Sequence, residues 1–153
     1  GLITGVTLSI IYLKKKSLSI YKTFDLIVPF LALAQAIGRI GCLLNGCCYG
    51  KVSRFGIYFP IHKSALIPTQ VYSSLSLILI FVFLRFLQDK PHKQGEVFYA
   101  YLLLYSFKRF FIEFWRADNN HIFFGLTLFQ IMSVIVFCIA MVKLIFIKRA
   151  AID

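Results

Sequence analysis

Charge is scarce in this sequence, and acids are scarcer than bases. Only 15% of the 153 residues are Asp, Glu, Lys or Arg, and six are acidic against 17 Lys and Arg. Soluble domains are close to a quarter charged, so this composition excludes an ordinary water-soluble domain. No internal repeat or low-complexity segment stands out, and there is no paired C-x-x-C. The chain starts at Gly1 inside an apolar segment, with no charged region or small-residue cleavage site before it, so this start does not read as a signal peptide. It reads as the N-terminally shortened piece of a longer membrane protein.

What is abundant is apolar surface: 59% of residues are hydrophobic and the mean hydropathy is +0.81. The net charge is +11, but the bases sit beside apolar segments. That is the pattern of anchors against an anionic leaflet, and nucleic acid is not an expected partner. The fold expected is all-α, a polytopic transmembrane helix bundle forming a single integral membrane domain over 1–153. It has about five hydrophobic segments: the tail Leu2 to Leu13, then Phe24 to Leu44, Val71 to Leu87, Gly95 to Trp115 and Leu126 to Ile147. The second is long enough to span a bilayer of about 30 Å. Asp25 and Pro29 fall in its first turns, where proline costs least and an acid suits the helix dipole. Between Asn45 and Gln70 the pattern is irregular or re-entrant, and Thr69 is placed to cap the helix that follows. If each segment crosses once, Lys14, Lys15, Lys16, Lys22, Arg85, Lys90, Lys93, Lys143, Lys148 and Arg149 share one side, leaving Lys51, Arg54, Lys63 and Arg116 on the other. The richer side should be cytoplasmic, with the C-terminus there and the 45–70 segment outside.

Two stretches carry chemistry. Gly38-Arg39-Ile40-Gly41-Cys42-Leu43-Leu44-Asn45-Gly46-Cys47-Cys48-Tyr49-Gly50 ends an apolar run with an arginine that has no acid close in sequence, and its glycines suggest backbone that packs closely or bends. In the fourth segment Tyr105, Arg109, Glu113 and Arg116 recur at spacings of four, four and three, which puts them on one helical stripe. Ionisable residues inside a membrane segment are costly and normally face the bundle interior or a wet cavity. A self-neutralising Arg109–Glu113 pair would account for two of these charges but not for Arg39, whose own alternative is to snorkel to a nearby interface. The other reading has Arg39 and Arg109 converge on one anion, since guanidinium forks match phosphate geometry. Ile67-Pro68-Thr69-Gln70-Val71-Tyr72 opens the third segment, where Gln70 and Tyr72 could line the same cavity. Cys138 is a lone small hydrophobe. The C-x4-C-C spacing of Cys42, Cys47 and Cys48 matches neither a zinc-finger nor a ferredoxin pattern, so no metal is expected. No cofactor is expected either.

With these residues assembled, the chain resembles the prolipoprotein diacylglyceryl transferase family over nearly its whole length. Gly38, Arg39, Gly41, Asn45, Gly46 and Gly50 stand at matching positions of its G-R-[IL]-G-N-F-x-N-G-E-x-x-G motif. Pro68-Thr69-Gln70-Val71-Tyr72 is similar to its H-P-[ST]-Q-L-Y element. Tyr105, Arg109, Glu113 and Arg116, followed by Asp118, match its Y-G-x-x-R-x-x-x-E-x-x-R stripe. Asp25 and Pro29 match its D-x-x-x-P, and Gln130 a glutamine of its last span. The sequence departs at Cys42 for asparagine, Cys47 for glutamate and Ile67 for histidine. The G-R-I-G-C with a following G-C-C-Y-G resembles a divergent branch. Gly1-Leu2 look like the end of the family's H-G-G-L, which places its histidine upstream.

The resemblance implies transfer of a diacylglyceryl group from phosphatidylglycerol to the lipobox cysteine thiol of a prolipoprotein, with release of glycerol phosphate, in the bacterial cytoplasmic membrane with the site facing outward. It implies catalytic roles for Arg39, Arg109, Tyr105 and Glu113. Substrate-binding roles fall to Asn45, Gly46, Gly50, Gln70, Tyr72 and Arg116. Its partners are phosphatidylglycerol, the prolipoprotein signal peptide and membrane lipids. Two alternatives come from other classes: a non-catalytic protein binding anionic lipid through the same arginines, and a thiol-active protein using Cys42, Cys47 and Cys48.

Overall fold

A computed structural model of the chain describes residues 1–117, 121–123 and 125–149. Five helices run through it: α1 (Leu2–Lys15), α2 (Ile20–Leu44), α3 (Thr69–Gln88), α4 (Glu96–Glu113) and α5 (Leu128–Arg149). Three of them, α2, α3 and α5, are long and apolar enough to cross a membrane. The fourth has 18 residues and carries Glu96, Lys108, Arg109 and Glu113, so its own composition does not suit lipid. It is packed instead against α5, α3 and α2. The strongest pairings are α2 with α3 and α4 with α5. Their shared core is Val28, Ala32, Ile80, Leu84, Val97, Ala100 and Tyr101.

The polarity is that of a membrane protein. Leu31, Leu79, Phe86, Ile135, Ile139 and Phe146 are exposed, whereas Thr69, Gln70, Ser73, Ser74, Ser106, Gln130 and Ser133 are buried. Lipid offers apolar side chains no reason to leave the surface, so hydroxyls and amides join the helices. Ser74 Oγ donates to the Ala36 carbonyl at 2.9 Å, and Tyr101 Oη donates to Gln35 Oε1 at 3.1 Å.

The expected all-α bundle gains two small antiparallel ribbons. In the 45–70 segment, β1 (Val52–Phe59) pairs with β2 (Ser64–Leu66). Its Val, Phe, Ile and Tyr content favours a strand, and a register shift between Val52 and Ile57 makes room for a bulge. A Cβ on Gly56 would lie 2.5 Å from the Leu66 carbonyl oxygen, so only glycine fits there. Before α5, β3 (His121–Phe123) pairs with β4 (Leu126–Thr127).

Helix α2 starts earlier than its apolar run, because Ser19 Oγ accepts from the Lys22 N–H at 3.4 Å as an N-cap. This moves Asp25 and Pro29 into the helix interior and changes their roles. Pro29 has no N–H to give the carbonyl of Asp25. Gln88 Nε2, from the end of α3, donates to that carbonyl instead at 3.1 Å. The Asp25 carboxylate does not serve its own helix. It accepts from the Gly95 and Phe98 N–H groups at 2.5 and 2.7 Å, capping the start of α4 from across the bundle. One residue pair thus fixes α2 to both α3 and α4.

Candidate functional site

At the other end of the bundle, Arg39 from α2, Tyr105 and Arg109 from α4 and Arg116 just beyond it wall one cavity of about 580 Å³. Cys48, Ser106, Ser133 and the apolar Leu102, Phe129, Met132 and Val136 complete its lining. The stripe read from the sequence and the isolated Arg39 therefore meet in one place.

Glu113 stands behind the wall. Its side chain is fully buried, and Oε2 lies 3.3 Å from Arg109 Nη2. Its other oxygen, Oε1, accepts from Thr127 Oγ1 at 3.0 Å. Thr127 is itself fixed by a capping box at the start of α5: Gln130 Oε1 accepts from the Thr127 N–H at 2.9 Å, and Thr127 Oγ1 accepts from the Gln130 N–H at 3.3 Å. The carboxylate thus sits at the N-terminal, partly positive end of α5. Arg109 is held from two sides, since its guanidinium also lies 4.6 Å from the Phe129 ring centroid.

One charged residue was missed. Lys108 is buried, donates from Nζ to Ser73 Oγ at 3.0 Å, and lies 4.8 Å from the Tyr105 ring centroid. Arg39 and Arg109 act electrostatically on Lys108, Arg39 and Arg116 act on Arg109, and Glu113 is the acid that meets Arg109 among the described residues. Basic side chains gathered in this way inside a membrane protein suit an anionic ligand. Lys108 went unnoticed because it lies off the Tyr105–Arg109–Glu113 stripe, where a lysine reads as a solvent-seeking tail.

The remaining sequence candidates separate by role. Gly46 has φ +67, and its carbonyl is 2.9 Å from His62 Nε2. Gly50 joins the loop to the end of α4: its N–H donates to the Ile67 carbonyl at 2.9 Å, Lys51 N–H donates to the Trp115 carbonyl at 2.9 Å, and Gly50 bridges Arg116. Gly50 positions the wall through the backbone, whereas Gly46 shapes the loop. The close packing expected of the motif holds for these two but not for Gly38 or Gly41, whose added Cβ atoms would meet nothing within 4 Å. Thr69 is not the cap of α3. Its hydroxyl donates to the Cys48 carbonyl and Gln70 Nε2 donates to the Cys47 carbonyl, both at 2.7 Å. Gln70 is buried and acts on the loop from behind. Asn45 is exposed as the C-cap of α2, and Tyr72 lines a separate groove beside Trp115. Neither belongs to the cationic wall. Asp118 lies outside the described residues.

This arrangement coincides with a family-wide match. The sequence fits the family model described as "Prolipoprotein diacylglyceryl transferase" over residues 1–146. The chain belongs to the prolipoprotein diacylglyceryl transferase family. Among curated relatives named phosphatidylglycerol–prolipoprotein diacylglyceryl transferase, that of Clostridium tetani is 43% identical over 77% of this chain and 51% of its own. The Dehalococcoides mccartyi protein (strain 195) is 35% identical over 97% of this chain and 60% of its own. The Enterococcus faecalis protein is 34% identical over 97% of this chain and 59% of its own. The chain thus spans a little over half the length of these transferase relatives.

Proposed function

We propose that this chain carries the lipid-donor site of a phosphatidylglycerol–prolipoprotein diacylglyceryl transferase. The observation that carries the reading is the cavity in which Arg39, Arg109 and Arg116 meet Tyr105 beside apolar side chains. A phospholipid offers both halves of such a surface: a phosphate for the guanidinium forks and acyl chains for the apolar flank. The names of the relatives supply the donor and acceptor. In the reaction, the sulfur of a prolipoprotein cysteine attacks the glycerol carbon that bears the phosphate. A C–S bond forms, the C–O bond breaks, and glycerol phosphate leaves with the electron pair while the thiol proton passes to a base. Negative charge grows on the departing phosphate oxygen, and Arg39 and Arg109 are placed to stabilise it, with Tyr105 as a hydroxyl donor. Glu113 orients Arg109, and the Gly50 bridge positions Arg116. The base asymmetry along the chain supports a cytoplasmic-membrane location with the cavity outward and the C-terminus cytoplasmic.

The test uses the full-length protein, labelled phosphatidylglycerol and a lipobox peptide. Arg39→Lys and Arg109→Lys each keep the charge and remove the fork, and each should lower transfer at least about 100-fold, the scale of losing one oxyanion donor. Lysine variants with near-normal turnover would refute the clamp. Lipid binding without any thioether product, under conditions where a relative makes one, would favour the non-catalytic alternative.

A further inference from the structure

The thiols beside the donor site form a cluster that the proposed transfer does not use. The sulfur atoms of Cys42, Cys47 and Cys48 all lie within 4.8 Å of one another, each residue part-buried, and all three are free. Cys42 belongs to the last turn of α2, and the other two to the loop that follows. That loop is held in place. Cys48 has φ +61, a left-handed conformation uncommon for a residue with a side chain. Thr69 and Gln70 anchor the carbonyls of Cys48 and Cys47 from the first turn of α3. The convergence of the three sulfurs is therefore built by neighbouring elements.

A disulfide explains this arrangement poorly. Adjacent Cys47 and Cys48 can pair only with strain, and pairing Cys42 with either leaves one thiol over. An ion explains all three. At a Zn–S distance of about 2.3 Å, tetrahedral geometry puts sulfurs about 3.8 Å apart. The cluster at 4.8 Å needs to close by at most about 1 Å, within the reach of side-chain rotation. We propose that Cys42, Cys47 and Cys48 bind one soft d10 cation, Zn²⁺ or Cu⁺, as three thiolates. An all-sulfur set selects these ions over Mg²⁺, Ca²⁺ or Mn²⁺. Binding forms three metal–sulfur bonds and releases three protons to solvent, with no change of oxidation state. The Cys47 Sγ–H, which donates to the Cys42 carbonyl at 3.6 Å, exchanges that weak bond for the metal. Cys48 also lines the cavity walled by Arg39, Arg109 and Arg116, so the ion would sit at the edge of the donor site. Three protein ligands leave a tetrahedral ion one open position, as in reactive rather than closed structural sites. The proposal does not require that the chain transfer lipid.

The experiment uses the full-length protein, purified reduced in detergent and loaded separately with Zn²⁺, Co²⁺ as a spectroscopic stand-in, or Cu⁺. Expected are one equivalent of Zn²⁺ or Cu⁺ retained per chain and a thiolate-to-cobalt charge-transfer band. The metal should also protect Cys42, Cys47 and Cys48, but not Cys138, from alkylation as read by mass spectrometry. Which cation is held more tightly identifies the ion. Cys42→Ser, Cys47→Ser and Cys48→Ser should each lose the cobalt band, whereas Cys138→Ser should keep it. Wild-type protein whose three thiols alkylate equally fast with and without either ion would overturn the proposal, whatever the folding of the serine variants. So would metal retained undiminished after all three are replaced.

Discussion

Replacing Asp25 tests whether α2 and the start of α4 are joined by directed hydrogen bonds more than by apolar contact. Its carboxylate accepts from the N–H groups of Gly95 and Phe98, and the residue is 3% exposed. In Asp25→Ala both donors at the start of α4 lose their partner in a place where neither water nor lipid reaches them easily. A buried unsatisfied donor costs about 1–3 kcal/mol, so the pair should cost about 3–5 kcal/mol after partial relaxation. Asp25→Asn keeps the shape and one acceptor oxygen but aims an amide N–H₂ at a donor, and should cost about 2–3 kcal/mol. The assay is reversible unfolding in mixed micelles as the fraction of denaturing detergent rises, followed by the emission of the single tryptophan, Trp115. Arg109 lies about 21 Å further along α4 at 1.5 Å per residue, so the protein that remains folded should bind phosphatidylglycerol vesicles with unchanged affinity. An Asp25→Ala variant within about 0.5 kcal/mol of wild type, or an asparagine variant less stable than the alanine one, would refute the reasoning.

Three further outcomes follow from the same geometry. Gln88→Leu should cost about 1 kcal/mol in the wild type but much less in Pro29→Ala, where a restored N–H can serve the Asp25 carbonyl, so a double-mutant cycle in micelles should give a coupling of roughly 0.5–1 kcal/mol. Gly50→Ala places a Cβ 2.7 Å from the Trp115 carbonyl oxygen and should cost about 1–3 kcal/mol with loss of lipid binding, whereas Gly41→Ala should be neutral or stabilising by up to about 1 kcal/mol; equal stability of the two would dismiss the bridge. Thr127→Val removes a cap and a hydrogen bond to Glu113 together, so a loss of about 1–2 kcal/mol and a fall in transfer should appear in one variant, while a fall in stability with transfer untouched would show that Glu113 orients Arg109 without Thr127.

The sequence made the helices and the meeting of Arg39 with Tyr105, Arg109 and Arg116 legible, because periodicity reports which residues share a helix face and an unpaired membrane arginine demands a partner. It hid what depends on contacts between distant segments. Asp25 sits where a first-turn acid would serve its own helix, and nothing in its neighbourhood shows that its partners are Gly95 and Phe98. Thr69 has the composition of a cap, yet its hydroxyl goes to Cys48. Other features were written plainly and passed over. Thr127-x-x-Gln130 is a capping-box spacing, and the Val52–Phe59 stretch has strand composition within a segment read as irregular. Asn45, grouped with the site by motif, and Tyr72, expected to line its cavity, do not line the cationic cavity.

The burial of Lys108 and Glu113 in α4, with Arg109 half-buried beside them, also constrains the order in which the protein is made. A helix that inserts alone meets lipid with all its charges, each costing about 2.5–3.5 kcal/mol at mid-membrane by insertion scales. Helices α2 and α3 are long and apolar enough to span and can settle as they emerge. They already hold Ser73, the partner of Lys108, but Glu113 gains its bond to Thr127 only when the start of α5 arrives. Helix α4 is therefore a segment best kept out of bulk lipid until α5 follows it, and the cationic cavity comes into being when α5 joins the bundle.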